Sequence, residues 1–219
     1  MITLFPTILT DSLDTAQKQI NLVSGKVEGV QIDIIDGEFA DNITVFPIDL
    51  EQIDPKGLQI DIHLQTVDPI NDVIECESVP NLRTIMAQIE RMPSQQDFID
   101  HVKSFGWKVG LSLNLHTPIE EISPDILKQL DAVQIMSVEC GSQGQRFQHS
   151  AISKIQLLKE LLQLHNPTCE LWVDGGVNPD NVQQIAKAGA THVVAGSYLW
   201  NQEYLTPQNI AESIRKLVY

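Results

Sequence analysis

The sequence predicts one (β/α)8 TIM barrel over residues 1–219, and three observations lead to this prediction. Short apolar or alternating runs recur along the chain, and amphipathic, helix-like runs follow or separate them. Eight such units fit into 219 residues, near the lower limit of about 200 for a closed barrel. No linker rich in Gly, Ser or Pro divides the chain into parts. Strands that alternate with helices favour parallel pairing with crossover helices.

The eight candidate strands are four to seven residues long and rich in apolar residues. They are Thr3–Leu9, Gly29–Ile35, Leu58–Leu64, Leu82–Met86, Lys108–Leu113, Ala132–Met136, Glu170–Val173 and His192–Ala195. The clearest helical patterns are Leu13–Leu22, Gln96–Phe105, Ile152–Leu164, Pro179–Ala188 and Pro207–Leu217. A doubly wound open sheet is the alternative, but residues 9–12 (LTDS) lack the glycine fingerprint that usually follows its first strand.

Composition excludes several classes of function. The formal net charge of −15 repels nucleic acid and anionic lipid, so we expect neither as a partner. No apolar run reaches the ~18 residues of a membrane span, and residues 1–6 do not resemble a signal peptide. Three widely spaced cysteines argue against a disulfide framework and favour a reducing cytosol, so we expect a cytoplasmic protein.

Strands 2 and 3 alternate in a way that predicts a polar site. Gln31 and Asp33 share one face of strand 2, and Asp61 and His63 share one face of strand 3. In a barrel the apolar faces pack on the helices, so these polar faces point to the barrel axis. Barrel active sites lie at the carboxyl ends of the strands, where Asp33, His63 and Asp174 would fall.

These side chains suit acid–base and metal chemistry. Two carboxylates on opposite sides of a pocket, Asp33 and Asp174, can remove a proton from one face of a carbon acid and return one to the other. Asp174 could equally close a turn before two glycines, and a lone histidine more often has a structural role. Together with the two carboxylates, His63 would form a mixed nitrogen and oxygen site for a divalent metal.

Glycines in the last three units predict an anion site. They are Gly141 and Gly144 after strand 6, Gly175 and Gly176 after strand 7, and Gly196, beside Ser197, after strand 8. Backbone amides in these loops are where barrel enzymes hold a phosphate, although glycines also simply permit tight turns. Amides rather than basic side chains would suit so acidic a protein.

With these residues in place, the chain resembles the ribulose-phosphate 3-epimerase family over nearly its whole length. Seven segments carry the resemblance: residues 6–9 (PTIL), 31–37 (QIDIIDG), 42–44 (NIT), 61–65 (DIHLQ), 136–147 (MSVECGSQGQRF), 173–178 (VDGGVN) and 194–197 (VAGS). The last three blocks, in this order, are the most specific. The resemblance implies the barrel fold and a small-molecule sugar phosphate as the partner, and it suggests a homo-oligomer.

The resemblance also implies roles for individual residues. D-ribulose 5-phosphate would be converted to D-xylulose 5-phosphate by proton transfer at C3, through an enediolate, with Asp33 and Asp174 as the acid–base pair. The implied metal ligands are Asp33, His63, Asp174 and Gln31; Zn, Mn, Fe, Co and Mg all remain open as the ion. The implied substrate and phosphate contacts are Thr7, Met136, Gly141, Gly144, Gly175, Gly176, Gly196 and Ser197.

Several site positions depart from the family pattern. Gln31 replaces a ligand histidine, and a glutamine oxygen is a poorer partner for zinc-like metals. Met86 is read as the replacement of a further histidine, at the end of strand 4. Gln65 replaces a pocket methionine, and Gln143 replaces a loop glycine. His116, after strand 5, is a further candidate for the pocket.

These departures leave alternatives open. Gln31 and Met86 motivate a barrel that binds a sugar phosphate, with weak or absent metal, and no longer turns it over. A metal-free decarboxylase or lyase of the phosphate-binding barrels ranks last. That group uses a D-x-K-x-x-D strand, whereas residues 61–66 read DIHLQT and lack both the lysine and the second aspartate.

Overall fold

The computed structural model describes residues 2–218, and its strands form one closed parallel barrel in sequential order, with β1 paired to β8. The strands are β1 Thr3–Ile8, β2 Gly29–Ile35, β3 Gln59–Gln65, β4 Leu82–Gln88, β5 Lys108–Leu113, β6 Ala132–Met136, β7 Glu170–Asp174 and β8 His192–Ala195. The predicted TIM barrel is confirmed, and the open-sheet alternative is wrong.

Helices cover the outside of the barrel. They are α1 Leu13–Val23, α2 Ile70–Glu75, α3 Gln95–Ser104, α4 Pro124–Leu127, α5 Ala151–His165, α6 Val182–Ala188, α7 Ser197–Trp200 and α8 Pro207–Val218, with 3-10 turns at Pro47–Gln52, Cys76–Ser78 and Ile119–Glu121. Ser12 caps α1, its hydroxyl accepting from the Thr15 N–H. Within residues 2–218 no helix is both long and apolar enough to cross a membrane.

Two elements differ from the sequence prediction by more than one residue at an end. Helix α6 begins at Val182 rather than Pro179, because the Asn178 side chain accepts from the Asp180 N–H and closes a turn there. Strand β4 continues two residues past Met86, to Gln88. In the sequence, a polar residue usually indicates the end of an apolar strand. Here Gln88 continues the strand, because its side chain lies on the inner face of the barrel mouth.

The barrel interior is layered. A small apolar cluster fills its middle: Phe5, Met86, Ala132, Trp172 and Val194. Trp172 is completely buried and stacks on His192, with ring centroids 4.4 Å apart. Asp174 follows Trp172 by two residues on the same face of β7, so this apolar layer lies directly beneath the polar mouth.

An ionic group occupies the opposite, amino-terminal end of the barrel. The Arg83 guanidinium donates from Nε to Asp61 Oδ1 at 2.9 Å, and the same guanidinium lies 4.7 Å from the centroid of the Phe5 ring. Asp61 is completely buried, and Arg83 is its cationic partner. Glu170 joins this group, accepting from Lys108 Nζ at 3.0 Å. Because barrel chemistry occurs at the other end, we assign these paired charges a structural role.

Candidate active site

The side chains of Asp33, His63 and Asp174 converge at the carboxyl end of the barrel. His63 Nδ1 lies 3.2 Å from Asp33 Oδ1 and 3.8 Å from Asp174 Oδ2. All three residues are buried, and one potential ligand atom from each lies within 4.8 Å of the others. The sequence prediction that strands 2, 3 and 7 bring these groups together agrees with this arrangement.

Gln31 lies between the two carboxylates. Its Nε2 donates to Asp33 Oδ1 at 2.9 Å and to Asp174 Oδ2 at 2.8 Å. Its Oε1 is buried and has no hydrogen-bond partner among residues 2–218. Burying an amide oxygen without a partner costs free energy. This oxygen is therefore available to a bound cation or to a hydrogen-bond donor of a ligand.

The orientation of the His63 ring is set by Gln88. With the Gln88 amide turned so that its oxygen accepts from His63 Nε2 at 3.1 Å, its nitrogen donates to Glu90 Oε2 at 2.9 Å. This hydrogen bond places the proton on Nε2 and leaves the Nδ1 lone pair facing the two carboxylates. Three such lone-pair atoms that face one another can together coordinate a cation.

Met86 is not the residue of β4 that reaches this site, which corrects the sequence prediction. Its side chain lies one layer deeper, against Gly110, where a Cβ atom would come within 2.5 Å of the Met86 side chain. The absence of a side chain on Gly110 therefore makes room for Met86 in the interior. Two residues later on the same face, Gln88 takes the place beside His63.

Two further glutamines surround the cluster. Gln134 Nε2 lies 3.3 Å from His63 Nδ1 and 3.4 Å from Asp174 Oδ2, and its Oε1 is a second buried oxygen without a partner in the described chain. Gln65 Nε2 lies 3.4 Å from His63 Nδ1, and its oxygen accepts from the Gly141 N–H at 3.0 Å. Sequence reasoning missed Gln134, although it lies on the inward face of β6 with Met136.

Thr7 and Ser137 hold the two carboxylate residues from the other side. The Thr7 hydroxyl donates to Asp33 Oδ2 at 2.8 Å, and the Thr7 carbonyl accepts from Trp200 Nε1 at 2.7 Å. Ser137 Oγ donates to the Asp174 carbonyl at 2.9 Å. These hydrogen bonds fix the Asp33 carboxylate and the Asp174 backbone, as acid–base chemistry requires.

The two carboxyl groups differ in their surroundings. Burial, together with the negative charge of Asp33, raises the pKa of Asp174 to about 7, against the opposing effects of His63 and the Gln31 amide. Asp33 instead has the Thr7 hydroxyl on its second oxygen. Different environments are what allow two carboxylates to act as an acid and a base.

One pocket opens above the carboxylates, and we call its glycine-lined end the anion pocket. All of the residues predicted to contact the substrate or its phosphate are among those that line this pocket: Thr7, Met136, Gly141, Gly144, Gly175, Gly176, Gly196 and Ser197. No Lys or Arg is among the lining residues in the described chain, so the donors available there are backbone amides and neutral side chains.

Gln143 adds a side-chain donor to the anion pocket. Its Nε2 is buried without a hydrogen-bond partner in residues 2–218, and it would lie 2.8 Å from a Cβ atom on Gly196. A buried amide N–H2 group requires an acceptor, which a bound anion would supply. The sequence identified Gln143 only as a departure from the family glycine and predicted no contact for it.

His116 and Cys140 have no place in this chemistry. His116 is exposed and lines a separate pocket with Glu90 and Asn114, so its predicted entry into the site is wrong. Cys140 borders the site, where its Sγ donates to Asn114 Oδ1 at 2.9 Å. Burial raises the pKa of the Cys140 thiol, which therefore stays protonated.

Gly176 is expected to tolerate no side chain. Its φ is +62°, and a Cβ atom would lie 2.4 Å from the Phe147 backbone nitrogen. The Gly176→Ala substitution should displace the loop after β6 and weaken binding of inorganic phosphate about tenfold or more, the effect of losing a hydrogen bond to a charged group. Calorimetric titration with inorganic phosphate measures the loss of affinity.

Gly106→Ala is the matched control for this prediction. Gly106 has a φ of +82° but open space within 4 Å and does not line the pocket, so alanine there costs only backbone strain, about 1 kcal/mol. Equal losses of phosphate affinity in both variants would contradict the assignment of close packing at Gly176.

The fold and site define a class of protein: a closed (β/α)8 barrel with a buried Asp–His–Asp cluster beneath a glycine-lined anion pocket. The family model described as "Ribulose-phosphate 3 epimerase family" matches residues 3–200. The chain belongs to the ribulose-phosphate 3-epimerase family.

Curated relatives agree with this assignment. The chain is 32% identical over 199 residues to the ribulose-phosphate 3-epimerase of Helicobacter pylori strain J99, covering 90% of each chain. It is 32% identical over 205 residues to that of Bacillus subtilis, covering 92% of this chain and 94% of the relative. The family match over residues 3–200 spans the strands and loops that carry every candidate site residue.

Solved structures share the fold alone. A mutant tryptophan synthase α-subunit from Pyrococcus furiosus superposes with a TM-score of 0.67 at 14% identity, covering 99% of this chain and 97% of that one. A structure described as native KDPGal superposes with a TM-score of 0.65 at 16% identity, covering 98% and 92%. Such likeness confirms the barrel and leaves function to the site.

Proposed function

We propose that this chain interconverts D-ribulose 5-phosphate and D-xylulose 5-phosphate. The observation that carries the proposal is the pair of buried carboxylates, Asp33 and Asp174, beneath one pocket whose other end can hold an anion. A ketose phosphate has the matching parts, because its acidic carbon, C3, is separated from the phosphate ester by the two carbons C4 and C5.

The proposed reaction moves one proton off C3 and one proton on. One carboxylate removes the C3 proton, and the electron pair left behind forms an enediolate with the neighbouring carbonyl. The other carboxyl group then donates a proton to the opposite face of C3, which inverts that centre. In the reverse direction the two groups exchange roles, and Thr7 keeps Asp33 aimed through its hydrogen bond.

A divalent cation fits the donor set described above. Asp33, His63 and Asp174, with Gln31, would hold it, and when bound it supplies electrostatic stabilisation to the negative charge that develops on the substrate oxygens. The Gln88 amide keeps the Nδ1 lone pair of His63 available for this purpose.

The phosphate is proposed to bind in the anion pocket. Donors there are backbone amides of the glycine loops and the Gln143 side chain, which agrees with a protein of net charge −15. Neutral donors hold an anion without neutralising the carboxylates nearby. Anchoring the phosphate fixes the distance from that end of the substrate to C3, and such positioning accounts for a large part of catalysis.

Solvent deuterium exchange tests the proposal directly. The metal-supplemented protein is incubated with D-ribulose 5-phosphate in D2O, and deuterium at C3 is followed by NMR together with formation of D-xylulose 5-phosphate. Exchange at C3 with formation of the epimer supports the proposal. No exchange at C3 with any metal supplied would overturn it.

A sugar-phosphate-binding protein without turnover is the second candidate. The Gln31 amide favours it, since this group lies between the carboxylates and engages both. Calorimetry that shows tight binding of the ketose phosphate, combined with absent exchange at C3, would establish this second function. Turnover that disappears in Asp33→Asn would exclude it.

A further inference from the structure

Two glutamines beside the Asp33–His63–Asp174 cluster each have an amide oxygen that makes no hydrogen bond. Gln31 and Gln134 are completely buried; the Gln31 amide nitrogen faces Asp33 and Asp174, and the Gln134 amide nitrogen faces His63 and Asp174. The oxygen of each amide is buried and lacks a hydrogen-bond partner within the described residues. Each amide therefore uses its nitrogen as a hydrogen-bond donor and leaves its oxygen without a hydrogen bond.

The orientation of these amides depends on what the cluster contains. The oxygen and nitrogen of a glutamine amide are similar in size, so half a turn about the last side-chain bond exchanges them. Carboxylates alone attract the nitrogen. A cation between the carboxylates attracts the oxygen instead, because amide oxygens are ligands of hard divalent ions.

We propose that Gln31 and Gln134 both present their oxygens to a divalent cation held by Asp33, His63 and Asp174, so that the site has one nitrogen and four oxygen donors. This inference rests on the proposed function, since it describes the cation that function would use. Gln134 is the added ligand, and the donor set favours a hard ion such as Mn²⁺ over Zn²⁺ relative to a site with a second imidazole.

The chemistry of the donors gives the direction of this selectivity. Zn²⁺ is commonly held by four ligands and takes imidazole nitrogen readily, whereas Mn²⁺ and Mg²⁺ favour oxygen donors in octahedral arrangements. Five protein donors leave room for a substrate oxygen on a six-coordinate ion. Zn²⁺ binds most sites more tightly than Mn²⁺, so the ratio of the two affinities is the informative quantity.

Gln65 provides the matched control. Its amide nitrogen also faces His63, but its oxygen already accepts from the Gly141 N–H at 3.0 Å. Turning this amide would break that hydrogen bond, so Gln65 is not expected to offer an oxygen to the cation. Substitution by methionine retains length and volume while it removes the amide.

The experiment titrates chelator-stripped protein with MnCl2 and with ZnCl2 by calorimetry, in the wild type, Gln31→His, Gln134→Leu and Gln65→Met. We expect the ratio of Zn²⁺ to Mn²⁺ affinity to rise about tenfold or more in Gln31→His and in Gln134→Leu. In Gln65→Met the ratio should stay near the wild-type value. Circular dichroism verifies that each variant folds. Pulsed EPR of bound Mn²⁺ should detect one coupled imidazole nitrogen in the wild type and two in Gln31→His.

Wild-type ratios in both Gln31→His and Gln134→Leu would overturn the inference, as would failure of the wild type to bind either ion at millimolar concentration. A ratio that rises equally in Gln65→Met would also overturn it, because the effect would then be one of general packing. Exchange at C3 is measured on the same preparations. If C3 exchange occurs but the ratios of Zn²⁺ to Mn²⁺ affinity are unchanged, only the metal inference is overturned. If the affinity ratios change as expected but C3 exchange does not occur, only the proposed function is overturned.

Discussion

Replacing Asp174 by asparagine is expected to lower kcat for epimerisation by about 10²–10⁴-fold, the typical contribution of one acid–base group. The amide retains the size of the side chain but cannot transfer the proton. In the proposed mechanism Asp174 would also hold the cation, so its loss should add to the effect. Asp33→Asn should have a loss of the same order, since the two groups act on the same carbon. Steady-state kinetics in both directions measures both variants.

Asp180→Asn is the matched control, because Asp180 is an exposed aspartate in the same loop and does not border the carboxylate pair. It should keep wild-type kcat. Phosphate binding by Asp174→Asn, measured by calorimetry, should persist, which separates lost chemistry from lost folding. Activity within threefold of wild type in Asp174→Asn would remove Asp174 from the mechanism.

Replacing Arg83 by methionine is expected to lower the free energy of unfolding by about 3–5 kcal/mol. The substitution leaves the Asp61 carboxyl, which is completely buried, without its guanidinium partner. Burial already raises the pKa of Asp61 against the stabilising effect of Arg83. Urea denaturation at neutral pH measures the loss.

Two further variants define the cause. The double variant Asp61→Leu, Arg83→Met removes both charges and should recover most of the lost stability, because apolar residues of similar size often replace a buried ion pair at little cost. Lys128→Met removes an exposed ion pair with Asp125 and should leave the midpoint almost unchanged. A double variant no more stable than Arg83→Met would show that packing, not charge, is responsible.

The fold was predictable because period-two patterns are strong in this chain. Seven of the eight predicted strands match the observed ones to within one residue at each end, and the exception, β4, was cut short at Met86. The shortest helices, α2, α4 and α7, were missed. Segments of four to six residues contain too few turns to display a helical repeat, and tertiary packing stabilises them.

The site was predictable where residues end strands, and less so elsewhere. Asp33, His63 and Asp174 follow from strand alternation, because carboxyl strand ends meet at one mouth. Gln88 and Gln134 were missed, since a glutamine in an apolar run resembles a strand end or a surface position. Their roles come from neighbours on other strands, so only the assembled barrel reveals them.

The seam between β1 and β8 constrains how the chain reaches its native state. Thr3 pairs with His192 and Pro6 with Ala195. Strand β1 can therefore pair with its second neighbour, β8, only after nearly the whole chain has been synthesised. During synthesis on a ribosome, Thr7 cannot acquire its bond to the Trp200 indole until that late segment has emerged. Such non-local pairing slows folding, and a nascent chain lacking its last strand exposes two unpaired edges that invite aggregation.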